Sequence, residues 1–210
     1  MDSLDTAGHG FSDRQLVRDF LDSKRLPAIH DAMGKLMSLI PDSERRGVLD
    51  LGACTGLLLK RARLMDFSPC VGLEPKLTDN AVFSQHLKDA HSEMFNMYVR
   101  PLAPTVLDFI AELMRSKGLT TVLARRVLPE ILGGTHESGD PNRISQVAAD
   151  ALGRMLINGG ATRLIIEGRV PSPRAKHDLH SVEEEIAALS ANWEVSCRHK
   201  ACALLVPRDR

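Results

Sequence analysis

Nothing in this sequence approaches the roughly 20 consecutive apolar residues that a helix needs to cross a bilayer, so a membrane span is not expected. An excess of one charge is also missing: Lys and Arg total 27 and Asp and Glu total 27. A chain so balanced has no long-range field to gather polyanions, and nucleic acid is therefore not supported as a partner. There is no C-x-x-C pair among the four cysteines, Cys54, Cys70, Cys197 and Cys202, and no leading apolar segment of the secretory kind. Reduced thiols in a cytoplasmic setting are expected, with Cys197 and Cys202 facing each other across a hairpin. Internal repeats and long low-complexity stretches are absent too.

What is present fits one compact domain, since 210 residues bury a sizeable core but are too few for two ordinary ones. Residues 1–10 (MDSLDTAGHG) are small and polar and read as a mobile tail. Residues 11–46 read as a helical leader. Ser12 and Gln15 form a capping box, and a second apolar face runs through Ile29, Met33, Leu36, Met37 and Ile40 until Pro41. This leader is expected to cover an acceptor pocket.

From residue 47 to the end, strand and helix patterns alternate, which is the signature of a parallel sheet covered on both faces. Strands are expected at Gly47 to Leu51, Cys70 to Glu74, Met94 to Val99, Thr120 to Arg125 and Arg163 to Gly168. Glu194 to His199 and Ala201 to Val206 then form an antiparallel hairpin. The clearest helix is expected over Pro141 to Asn158, with Asp140 as its N-cap and Gly159 as its stop. The expected fold is therefore α/β, a seven-stranded and mostly parallel sheet with a terminal antiparallel hairpin.

The segment VLDLGACTG (48–56) sits where a buried first strand gives way to a helix, and its glycines mark a backbone that something approaches closely. A tight connection without a ligand is the other way to explain them. The spacing Asp50-x-Gly52-x-x-x-Gly56 resembles motif I of the class I S-adenosylmethionine-dependent methyltransferases, an acidic residue followed by a glycine-rich turn into the first helix. The family often has a further glycine where Cys54 stands. That resemblance implies S-adenosylmethionine as cofactor and a site built from Asp50, Gly52, Ala53, Cys54, Thr55 and Gly56.

A second anchor is Glu74 with Pro75, because an acid at the end of strand two, about 20 residues past the first turn, accepts hydrogen bonds from both ribose hydroxyls. Nicotinamide-binding domains share that acid, so the glycine pattern decides: a dinucleotide fingerprint needs G-x-G-x-x-G, and Cys54 takes the place of its middle glycine. Asp50 would also oppose a pyrophosphate, whereas it suits a cofactor bearing an ammonium and a sulfonium. By the same resemblance adenine is read after strand three, where Asn96 and Tyr98 are the candidates.

Strand four ends in Arg125 and Arg126, and Arg169 follows strand five, all at the carboxyl edge where acceptors meet the methyl group in this fold. Guanidinium forks match carboxylate or phosphate, which points to a small anionic acceptor. An ion pair of these arginines with Glu130 or Glu167 is the competing explanation. The resemblance also excludes subclasses: the Asn/Asp-Pro-Pro-aromatic motif of amino-methylating DNA enzymes is replaced by Arg125-Arg126-Val127-Leu128, and no Pro-Cys nucleophile occurs there. In the glycine-rich stretch 133–142, a lid by composition, His136 and Glu137 are the candidate general bases. Trp193 reads as core. Methyl transfer is the expected activity. The rivals are a cofactor-binding regulatory module without transfer and another kind of enzyme using the same cofactor.

Overall fold

The computed structural model describes residues 25–53, 56–74, 92–96, 104–132, 144–168 and 182–208. Seven strands form one mixed sheet: β1 (Gly47–Leu51), β2 (Cys70–Glu74), β3 (Ser92–Asn96), β4 (Leu119–Arg125), β5 (Arg163–Glu167), β6 (Trp193–His199) and β7 (Cys202–Pro207). Their order across the sheet is β3-β2-β1-β4-β5-β7-β6. Neighbours among the first five run parallel, and β7 is antiparallel to both β5 and β6.

Every residue of β1 is buried, and its sequence GVLDL has no alternating polar face. That is how a central strand covered on both sides reads. Successive side chains point to opposite faces, so β1 feeds two cores. Leu49 and Leu51 join Val71, Leu73, Val122 and Ala124 beneath α3 (Pro104–Lys117) and α5 (Gln146–Asn158). Val48 joins Cys70, Leu123 and Ile165 beneath α1 (Arg25–Ser38) and α2 (Leu57–Leu64). The short α4 (Leu128–Leu132) and α6 (Val182–Leu189) complete the set among the described residues, and none of these helices is long and apolar enough to cross a membrane.

Helix α1, the described part of the leader, packs on β5, β6, β7 and α2. Met33, Leu36, Met37 and Ile40 are each at most 1% exposed. Each such side chain contributes about 1.5–3 kcal/mol on burial, so lifting the three on the helix, with Ile40 just past its end, would consume a large share of a domain's usual stability of about 5–15 kcal/mol. Helix α1 is a permanent layer of the fold.

Three expected details differ in the structure. Helix α5 begins at Gln146, with Ser145 as N-cap accepting a hydrogen bond from the Ala148 amide at 3.3 Å. The Ser145 hydroxyl satisfies one of the amides that every helix start leaves orphaned. Strand β3 runs from Ser92 to Asn96, ahead of the expected Met94 start, and residues 97–99 lie outside the described residues. In the closing hairpin Cys197 pairs with Leu204, while Cys202 pairs with His199, so the two thiols are out of register and both are free.

Trp193 opens β6 at 2% exposure, and its indole Nε1 donates to the Gly153 carbonyl of α5 at 3.2 Å. The missing side chain at Gly153 makes room for it: a Cβ there would stand 3.3 Å from that nitrogen. Trp193 is a core residue, as its sequence context implies.

Candidate functional site

Because β1 to β5 are parallel, their carboxyl ends share one edge of the sheet, the edge at which ligands bind in open α/β folds. Register aligns what the strands deliver there. Leu51 lies opposite Leu73 and Ala124, Glu74 opposite Asn96, and Arg125 opposite Glu167. One step beyond Leu51, a single row therefore reads Asn96, Glu74, Gly52, Arg125, Glu167. Residues assigned from sequence to a cofactor and residues assigned to an acceptor stand side by side in it.

The glycine turn is set by backbone geometry. Gly52 has φ +70° and Gly56 φ +75°, both in the left-handed region that disfavours other residues. The amides of Gly52 and Ala53 both donate to the Leu73 carbonyl, at 2.8 and 3.0 Å, and the Gly56 amide donates to Ala53 O at 2.8 Å. Gly56 then serves as N-cap of α2. A Cβ on Gly52 would stand 2.8 Å from Cγ2 of Val127. The close approach that the glycine signals is, on that side, by this chain's own Val127, a contact with no counterpart in any local sequence pattern. It brings the glycine turn against the segment that carries the arginine pair.

Arg125 and Arg126 converge on one buried carboxylate. Arg125 Nε donates to Oε2 of Glu167 at 3.0 Å, and Arg126 donates to Oε1 from Nε at 2.9 Å and from Nη2 at 2.8 Å. The Arg126 amide, at φ +54°, adds a bond to the Glu167 carbonyl at 2.8 Å. Of the two alternatives open in the sequence, the ion pair to Glu167 is formed. Its side chain is 5% exposed against 17% for Arg125 and 42% for Arg126, so Arg126 is the guanidinium that faces solvent. Two guanidinium groups thus gather at this end of the row.

The other end is acidic. Asp50, second to last in β1, is 1% exposed, and its Oδ1 has no hydrogen-bond partner among the described residues. Burial, chiefly, and the nearby Glu74 push its carboxyl up from 3.8 to about 8, and the more modest pull of Arg125 does not reverse this. An orphaned buried oxygen beside a second acid fits a ligand that brings positive charge and opposes one that brings a pyrophosphate.

Of the remaining residues assigned from sequence, Cys54, Thr55, Pro75, Tyr98, His136, Glu137 and Arg169 lie outside the described residues. A groove of about 600 Å³ between α3 and α5, bordered by Asp108, Arg115 and Arg154, shares no residue with the row at the carboxyl edge.

No protein-family model matches this sequence, and no curated protein matches it. Solved structures do resemble it. The PH0226 protein from Pyrococcus horikoshii OT3 superposes with a TM-score of 0.61 at 11% identity, covering 95% of this chain and 100% of that one. A SAM dependent methyltransferase from Aquifex aeolicus gives 0.54 at 13% identity over 93% and 97% of the two chains. The N-terminal domain of EvdMO1, solved with SAH bound, gives 0.50 at 15% identity over 90% and 85%. The chain has the fold of the class I S-adenosylmethionine-dependent methyltransferases.

Proposed function

We propose that this chain is an S-adenosylmethionine-dependent methyltransferase acting on a small anionic acceptor. The observation that carries the reading is the division of charge along one row: the buried acid Asp50 and the half-buried acid Glu74 on β1 and β2, the guanidinium pair Arg125 and Arg126 at the end of β4. The cofactor supplies an activated methyl group on a sulfonium, so no demanding catalytic triad is needed. The chain's work is orientation and exclusion of water.

In this reading Glu74 accepts hydrogen bonds from the ribose, Asp50 faces the cationic end, and the turn from Gly52 through Ala53, Cys54 and Thr55 to Gly56 borders the methionine part. Pro75 and Asn96 border the adenosine. Glu167 holds both guanidinium groups at the carboxyl edge, and Arg126 offers its exposed donors to the acceptor, with Arg169 assigned from sequence to the same task. His136 and Glu137 are the groups whose chemistry suits taking a proton from the acceptor. The domain spans residues 47–210, and Arg25–Ser38 of the 11–46 leader packs upon its sheet. The carboxyl-edge position of the row, the fold of the neighbours and the Asp50-x-Gly52-x-x-x-Gly56 spacing support these roles.

Isothermal calorimetry with S-adenosylmethionine, S-adenosylhomocysteine and NAD tests the reading. The first two are expected to bind and NAD is not. Glu74→Ala is expected to lose about 1–3 kcal/mol of that affinity, the range for a hydrogen bond to a charged group. Binding of NAD alone, or unchanged affinity in Glu74→Ala, would refute it.

A further inference from the structure

The sequence offers Asp50 as a fixed negative charge, and its surroundings argue otherwise. Its ladder partners are Gly72 on β2 and Leu123 on β4, neither of which has a side-chain donor. Helices α1 and α2 close over the same face with apolar groups such as Met33, Leu36, Leu58 and Leu59. The ionisable groups that bear on it are Glu74 and Cys70 from β2 and Arg125 from β4. On α2, Arg63 acts on Cys70, and Arg61 pairs with Asp31 of α1 at 3.3 Å. Arg125 spends its Nε on Glu167, 3.0 Å away, and Oδ1 of Asp50 has no partner among the described residues. A bare carboxylate so placed bears a desolvation penalty with little to offset it.

We propose that Asp50 is the charge-selecting residue of the crevice: a neutral acid until a cation docks beside it, and the counter-ion of that cation afterwards. The inference rests on the cofactor reading above and adds a proton to it. On docking, the O–H bond of the carboxyl breaks, its electron pair stays on oxygen and the proton passes to solvent. The incoming positive charge replaces the proton's, so the buried site keeps its net charge. A neutral nucleoside cannot make that exchange and gains nothing from Asp50. The cation supplies what burial withholds, and below the free-state value of about 8 the affinity for it rises with pH, up to tenfold per unit.

Calorimetry at about pH 6.5, below the range in which α-amino groups titrate, reads this directly when repeated in PIPES and in imidazole, which differ in heat of ionisation. Binding of S-adenosylmethionine is expected to release close to one proton per ligand. 5′-Methylthioadenosine, which lacks the charged amino-acid end, is expected to release none, and Asp50→Asn is expected to abolish the release. A second readout needs no ligand: the Asp50 Cγ resonance of the free protein should titrate near 8. Binding without proton release, equal release by Asp50→Asn, or a titration at the ordinary carboxylate position would overturn the proposal while leaving the cofactor reading intact. Failure of every adenosyl ligand to bind would overturn both.

Discussion

Two carboxyl groups are buried in the same sheet, two strands apart, with opposite company. Glu167 is 4% exposed and both of its oxygens are held by guanidinium groups. Asp50 is 1% exposed, with one oxygen unpartnered among the described residues and a second acid nearby. Both acids have left water. What separates them is compensation: the β4–β5 end holds Glu167 between two guanidinium groups, whereas Oδ1 of Asp50 on β1 has no partner among the described residues. A protein whose only concern was stability would replace Asp50 with an apolar residue, since a buried acid with an unpartnered oxygen costs more than it returns.

The largest test of this contrast removes the compensation. Arg125→Ala combined with Arg126→Ala turns Glu167 into a second uncompensated buried acid, and the loss is expected to be about 3–5 kcal/mol, a fall in Tm on the order of 10 °C. Adding Glu167→Gln to that pair should recover much of it. Thermal melts by circular dichroism check both, and a fall of less than about 2 °C in the double variant would mean that the ion pairs contribute nothing.

A smaller effect is expected from relieving Asp50. Its folded-state value of about 8 lies above the ordinary 3.8. Between those limits the folded protein keeps a proton that the unfolded chain has lost, so the group's contribution is complete below 3.8 and disappears as pH rises toward about 8. Asp50→Asn should flatten that part of the stability curve and melt higher than the wild type near the upper limit. The gain is about 2–4 °C for each kcal/mol relieved. Parallel pH dependences for variant and wild type would show that Asp50 is ionised in the fold.

The smallest effect is expected from Arg126→Ala alone. Its side chain is 42% exposed, and Arg125 remains on the Oε2 oxygen of Glu167. A loss of about 0.2–1 kcal/mol is expected, as for other solvent-facing pairs. A loss as large as that of the double variant would place all the compensation on Arg126 and change which arginine is structural.

Much of this molecule can be read from local pattern. The runs GVLDL and CVGLE coincide with β1 and β2 residue for residue, because strands buried on both faces are continuous apolar runs bounded by turns. Glu74 and Gly52 reach the carboxyl edge for the same reason. Legibility ends where contacts join distant segments. The sequence offered Glu130 and Glu167 as partners for the arginines, and only the β4–β5 register, which sets Arg125 opposite Glu167, decides between them. The Val127 contact over Gly52 depends on how the chain turns after β4, and nothing near Gly52 announces it. The α5 boundary was misplaced for a local reason: Asp140 and Pro141 imitate a helix start, while the capping hydroxyl belongs to Ser145.

One buried contact gives the protein a built-in reporter. Trp193 is the sole tryptophan of the chain, anchored through its indole to Gly153 where α5 meets β6, away from the carboxyl-edge row. Its fluorescence therefore registers the global melting of the sheet and α5 without added dye. The same emission should stay nearly silent when the crevice fills, which separates stability from occupancy in a single optical sample.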